Sequence, residues 1–288
     1  MSVFVQRTAT PCAFTADTAW VILSPIEQSI KRKIEAVGTP LKEWDIHINY
    51  GIKTGCNEAF IIDESKRTEI LANCKDAAER TRTEQIIRPI LRGRDIKRYG
   101  YQWAHLYIIA TFPALHLDID DFPAIKRHFL AFGKERLEQT GKEYIVNGEL
   151  IKSRKKSNNK WFETQDTIAY MDDFAKPKIV WGNLSRNAAF AKAPGGMFIN
   201  APCVMITPAR DNLLSVLNSK VGDWYIRRLG VTRNGGYFEY KPMFVEQLPV
   251  PYFLKAITCD ADVYKLYGLN ELEISYIENL HNELSATY

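Results

Sequence analysis

No Cys-x-x-Cys pair occurs among the five cysteines, at positions 12, 56, 74, 203 and 259. A zinc ribbon or a thioredoxin-type redox centre needs that spacing, so both are excluded, and the odd number of thiols reads as reduced. The five histidines form no His-Glu-x-x-His, the helical pair of zinc ligands in a metalloprotease. There is no Gly-x-x-x-x-Gly-Lys-Ser/Thr and no Gly-x-Gly at all. The chain therefore lacks the loops whose amides cradle the phosphates of an NTP or a dinucleotide. No stretch of 18 apolar residues is present, so no membrane helix is expected. The opening MSVFVQRTATPCAF has no long apolar core behind a basic front, which argues against a secretory leader and for the cytoplasm.

What is present is ordinary globular material. Of 288 residues, 46% are hydrophobic and 25% charged, enough to bury one large core or two modest ones. Lysine and arginine (38) exceed aspartate and glutamate (34) by a net charge of only +4. A polyanionic partner would have to be met by local clusters rather than by the overall field. Aromatics reach 12%; each buries a large area, and an exposed few could stack on nucleobases.

Ser24, Pro25 and Glu27 predict a helix start, and Ile26, Ile30, Ile34 and Val37 share one face of a helix over 25–37 that ends at Gly38 and Pro40. Trp44, Ile46, Ile48 and Tyr50 alternate with polar residues, predicting a strand that turns at Gly51 and Gly55 and returns along Ala59–Ile62 as a hairpin. Residues 64–85 predict polar helix, 105–112 a buried strand stopped by Pro113, and 122–140 a helix. A strand at 177–181, a strand pair at 195–208 and an amphipathic helix at 212–230 follow, then two short helices around Gly268. Strands and helices mix without regular β-α-β alternation. The expected class is α+β, with mixed antiparallel sheets and flanking helices.

Two Glu-x-Lys fragments, Glu64-Ser65-Lys66 and Glu239-Tyr240-Lys241, match part of what a metal-dependent nuclease uses. A chain this rich in both residues carries about one or two such matches by chance, and surface salt bridges explain them. Asp118, Asp120 and Asp121 suit the N-terminus of the helix beginning near Phe122. Trp44, Trp103, Trp181 and Trp224 read as core, whereas Trp161 has basic neighbours. His47, His105, His116 and His128 lack metal spacing and read as structural.

Six segments carry a family likeness: GIKTGCNEAFII (51–62), IIRPILRGRDIKRY (86–99), KPKIVWGNLS (176–185), LLSVLNSKVGDWYIRRLG (213–230), FVEQLPVP (244–251) and VYKLYGL (263–269). In this order they resemble the TaqI-like C-terminal specificity domain, the target-recognition domain of type IIG restriction-modification enzymes and related adenine-specific DNA methyltransferases. The resemblance spans roughly residues 20–280. It implies a recognition domain over 21–255, preceded by an N-terminal extension (1–20) and followed by a C-terminal helical segment (256–288). It further implies binding of specific double-stranded DNA sequences in phage defence, with N6-adenine methylation and cleavage done by a catalytic domain elsewhere in the enzyme. Asn/Asp-Pro-Pro-Tyr/Phe, which grips the flipped adenine in that catalysis, is absent here. The expectation is thus no catalytic residue and no metal ligand in this chain, with S-adenosylmethionine and Mg belonging to the missing parts. Two other readings stay open. One is a protein-interaction module docking a methyltransferase through Ile26–Val37 and Val263–Leu280; the other is an autonomous metal-dependent nuclease.

Recognition of DNA has two physical parts: cations on phosphates position the protein, and side chains on base edges specify sequence. Candidate phosphate binders are Lys53, Arg92, Arg94, Lys97 and Arg98, with Arg154, Lys155, Lys156 and Lys160 in the basic loop KSRKKSNNK (152–160). That loop is expected to be mobile and to order on DNA. A solvated turn with Asp95 pairing locally is the plainer alternative for the first cluster. Candidate base readers are Thr54 and Asn57, then Asn183, Arg186 and Asn187, then Arg233, Asn234 and Tyr237 in GVTRNGGYF (230–238). Arginine matches guanine O6 and N7, and asparagine matches adenine N6 and N7. Asn234-Gly235 is equally a plain turn signal, and the polar residues after Gly51 equally suit capping of their own backbone.

Overall fold

The structure is a computed structural model that describes residues 23–230, 232–252 and 256–287, with side chains to residue 283. The expected 1–20 extension lies outside the described residues. The fold is α+β. The chain forms two compact units, each assembled from separated segments: His47–Asn183 with Phe190–Ala209, and the described part of Met1–Ile46 with Leu184–Ala189 and Arg210–Tyr288.

Two four-stranded sheets organise the larger unit. In the first, Phe190–Ala193, Lys178–Trp181, Val204–Thr207 and His47–Tyr50 lie side by side in that order, all antiparallel. In the second the order is Phe198–Ile199, Ile87–Leu91, Leu106–Ile109 and Ile61–Asp63, and only the Phe198–Ile199 edge is parallel. Successive residues of a strand point to opposite faces. Ile108 joins a core with Phe112, Phe174, Val180, Phe198 and Met205, while Ile109 joins another with Phe60, Ile70, Ile125 and Phe129. A strand buried on both faces explains why HLYIIATF is a continuous apolar run. The helices Glu64–Ala72, Ala77–Ile86 and Pro123–Ala131 close the second core.

Several expectations need correction. Ile61–Asp63 does not return against His47–Tyr50: Asn57–Phe60 form a helical turn and the strand pairs with Leu106–Ile109, so the glycine turn links two sheets. Phe198–Ile199 and Val204–Thr207 also join different sheets. The run 212–230 is two helices, Asp211–Leu217 and Lys220–Arg227, because the Ser219 hydroxyl caps the second by accepting Gly222 N at 3.0 Å. A further hairpin, of Glu143–Val146 with Glu149–Lys152, turns at Asn147-Gly148, where both φ angles are positive.

The smaller unit is mostly helical. Ser24 and Glu27 form a reciprocal capping box on the helix Pro25–Val37. Its Ile30 and Ile34 are buried, whereas Val37 is exposed. Glu273, buried in the terminal helix Glu271–Thr287, accepts Lys33 Nζ and Ser29 Oγ at 2.7 Å each, tying the first helix to the last. Thr39–Pro40 pairs with Pro249–Val250, and Leu184–Ser185 with Phe238–Glu239. No helix of the described residues is long and apolar enough to cross a membrane.

One strand of the larger unit begins with a buried charge. Lys178 is 0% exposed, and its ammonium donates to Phe174 O and Pro194 O at 3.0 Å each. Burial pushes its pKa down to about 8, against the attraction of Asp173. A lysine with a lowered folded-state pKa costs stability while charged, and that cost fades as pH rises from about 8 towards the ordinary 10.5. The stability of the wild type relative to Lys178→Met should therefore rise by about 2–3 kcal/mol between pH 7 and 10.5 in urea unfolding. A difference that stays flat with pH would show that the buried amine does not titrate in this window.

Candidate nucleic-acid interface

In the larger unit, residues 92–101 leave the second sheet and double back. Gly93–Asp95 make one 3-10 turn, and Ile96–Lys97 pairs with Gly100–Tyr101 across the tip Arg98-Tyr99. Asp95 sets this shape. Its buried carboxylate accepts Arg92 N at 2.8 Å, Arg92 Nε at 3.0 Å and Arg92 Nη2 at 2.8 Å. Burial alone would raise the Asp95 carboxyl, but the hydrogen bonds and charge of Arg92 outweigh it and hold it below the usual carboxylate range. Arg92 therefore leaves the phosphate set: its fork is occupied by its own turn. Arg94, Lys97 and Arg98 are exposed, and Lys97 Nζ donates to Arg94 O at 2.9 Å. Gly182 packs against this turn, since a Cβ there would stand 3.5 Å from Gly93 Cα. The next residue, the half-buried Asn183, has its Oδ1 enclosed and without a hydrogen-bond partner among the described residues.

The glycine turn and the basic loop meet through a single side chain. Arg154 is 5% exposed; Nε donates to Leu137 O at 2.8 Å, Nη1 to Thr54 O at 2.7 Å and Glu163 O at 2.8 Å, and Nη2 to Trp161 O at 2.7 Å. The guanidinium lies 5.0 Å from the Phe60 ring centroid. Burial lowers its pKa to about 10, so it stays charged at neutral pH. Arg154 is thus a structural cation and not a phosphate ligand. Thr54 is likewise withdrawn from the base readers. It is 1% exposed, donates to Asn57 Oδ1 at 2.7 Å and accepts Cys56 N at 3.1 Å, the capping role open to a polar turn residue.

The backbone of the basic loop is held by several hydrogen bonds. Gln139 Nε2 donates to Lys160 O at 3.1 Å and Glu163 O at 3.0 Å, Asn159 Nδ2 to Gln165 O at 3.0 Å, and Lys160 N to Glu163 Oε2 at 2.6 Å. On this fixed backbone Lys155, Lys156 and Lys160 are exposed, as are Lys53 and Asn57 of the glycine turn. Lys53 O accepts Gln165 N and Asp166 N, so the two turns form one assembly.

In the smaller unit, the pairing of Leu184 with Glu239 and of Ser185 with Phe238 joins two distant polar turns. It gathers Arg186, Asn187, Arg233, Asn234 and Tyr237, all exposed. The Arg186 guanidinium lies 5.2 Å from the Tyr237 ring centroid, and Arg186 O accepts Arg227 Nη2. Arg233 reaches Glu239 at 3.1 Å, and Lys241 reaches the same carboxylate at 2.6 Å. The other Glu-x-Lys glutamate, Glu64, meets Arg67 at 3.1 Å and Tyr107 Oη. Both fragments are salt-bridged, and among the described residues no group of three or more His, Cys, Asp or Glu could hold a metal ion.

The role given to Arg154 is measurable. Arg154→Gln should lose about 3–5 kcal/mol in urea unfolding, because the buried carbonyls it serves are left unpaired, while Lys155→Gln stays within about 0.5 kcal/mol. Equal effects would return Arg154 to the solvated surface.

Residues 88–250 match the family model described as the TaqI-like C-terminal specificity domain, a narrower span than the sequence resemblance. Comparison with curated proteins yields no match. Among solved structures, the type IIL restriction-modification enzyme MmeI, in complex with DNA, is similar at 11% identity and a TM-score of 0.54, over 86% of this chain and 36% of that one. The type IIG restriction endonuclease BpuSI is similar at 12% identity and a TM-score of 0.50, over 84% of this chain and 27% of that one. This chain therefore corresponds to about a third of the first enzyme and about a quarter of the second, and the likeness is one of fold. The family match takes in more than half of the sequence, including the Arg92–Arg98 turn, the basic loop and both polar turns, and the chain belongs to the TaqI-like C-terminal specificity domain family.

Proposed function

We propose that this chain is the DNA-reading part of a type IIG-like restriction-modification enzyme. It holds double-stranded DNA while a catalytic domain of the same enzyme methylates an adenine at N6, and cleaves where a nuclease is fused, in defence against phage. S-adenosylmethionine and Mg are assigned to those catalytic parts. The observation that carries this reading is the division of the cations. Asp95 engages the half-buried Arg92 and a set of backbone carbonyls holds Arg154 inside, and Lys53, Arg94, Lys97, Lys155 and Lys156 stand exposed on the turns so fixed. Charges on anchored turns meet phosphates with little ordering cost, and the exposed Arg186, Asn187, Arg233 and Asn234 offer donors to base edges. The DNA complex of MmeI supports the same reading. In the segments of the docking alternative Ile30, Ile34, Val263 and Ile277 are buried, and Val37 and Leu272 are left exposed as separate apolar residues.

Fluorescence anisotropy with duplex DNA over a range of salt provides the test. About five phosphate contacts give a log–log slope near −4 to −5. Arg94→Glu and Lys156→Glu should weaken binding to every sequence, whereas Asn187→Ala and Arg233→Ala should relax preference at one base pair by about 1–3 kcal/mol. Affinity indifferent to all four changes would remove the site from these turns.

A further inference from the structure

Tyr99 adopts a backbone conformation that a bulky L-residue rarely takes, with φ of +65°. The surroundings impose it. Tyr99 N donates to Phe190 O at 2.8 Å, and on either side Ile96 pairs with Tyr101 and Lys97 with Gly100. Burial of the ring does not offset the strain, because Tyr99 is 49% exposed. A Cβ on the adjacent Gly100 would meet nothing within 4 Å, so there is open space on that side of the tip. The Arg98 guanidinium stands 5.2 Å from the Tyr99 ring centroid, and Arg94 and Lys97 are exposed on the same turn. Glycine would satisfy this φ without strain. A tyrosine held here at a cost, with half of its surface left open, has the setting of a residue whose ring meets a ligand.

Resting on the DNA-binding reading above, we propose that Tyr99 is a base-stacking residue. Its ring enters a base step or covers a displaced base, while Arg94, Lys97 and Arg98 hold the flanking phosphates. Every base has a π face, so Tyr99 contributes affinity and local distortion of the duplex rather than sequence choice.

The test uses the full chain and a duplex selected from a random pool, with 2-aminopurine placed at successive adenine positions. Wild-type binding should change the fluorescence at one position. Tyr99→Phe should preserve that change. Tyr99→Gly relieves the strain, so it should fold at least as stably as the wild type. It should nonetheless lose the fluorescence change and bind about ten- to a hundredfold more weakly, at an unchanged salt slope. If Tyr99→Gly binds like the wild type while Arg94→Glu weakens binding, the stacking inference is wrong and the DNA-binding reading stands. Absence of salt-sensitive duplex binding by the wild type would overturn both.

Discussion

Three separate stretches of chain converge on the Arg154 guanidinium: Thr54, Leu137, and Trp161 with Glu163, each presenting backbone carbonyls. Loops that lie inside a unit have no ladder to satisfy their polar groups, and each buried carbonyl left alone costs about 1–3 kcal/mol. Arginine suits the task because its planar fork carries five N–H donors, whereas lysine has three on a single nitrogen. The desolvation cost of the cation is spread over four charge-assisted bonds and the face of Phe60. Space for the side chain is arranged in the glycine turn. Gly55 has φ of +77°, and a Cβ there would come within 2.9 Å of Arg154 Cδ. The buried charge of Arg154 thus joins the turn that carries Lys53 and Asn57 to the loop that carries the exposed lysines.

The same division recurs elsewhere. Asp95 engages Arg92 to fix the first cationic turn, and buried Asp223 accepts from Arg227 and Tyr240 beneath the polar turns of the smaller unit. Each of these cations counts towards a basic cluster when residues are tallied along the chain, yet each is consumed by the fold. The net charge of +4 reflects only the counts, 38 cationic against 34 anionic side chains, and does not tell paired cations from unpaired ones. What remains for a polyanion is a smaller set of cations at the ends of anchored turns, where placement matters more than number.

Much of the local structure was legible. The Ser24 to Glu27 capping box announced its helix, and the apolar runs at 105–112 and 177–181 announced buried strands, because these signals reside within a few residues. Partner choice was not legible. The segment after Gly55 looked like the return of a hairpin, but Ile61–Asp63 finds its ladder with Leu106–Ile109, some 45 residues on, because that places Ile62 in the helical core. KSRKKSNNK reads as solvated by composition alone, and although Arg154 is its single arginine, no local pattern marks that residue as buried. Only the tertiary supply of carbonyls does. The Asn147-Gly148 pair is a turn signal within the string itself, and it does form the turn of a hairpin.

In the smaller unit, the elements that build the polar edge are distinct from the residues that form it. Phe238 and Tyr240 are buried, Arg227 lies over both rings, and its Nη2 fixes Arg186 O. Gly230 lets the second turn approach, since a Cβ there would meet Phe238 Cζ at 2.8 Å and Phe244 Cε2 at 2.7 Å. These anchors act through backbone atoms or buried rings. Arg186, Asn187, Arg233 and Asn234 are exposed and contribute little to that packing. Substitution at exposed positions outside special backbone or buried networks usually changes stability by no more than about 0.5 kcal/mol. Side chains at such positions can therefore be exchanged, one donor pattern for another, while the scaffold beneath them stays intact.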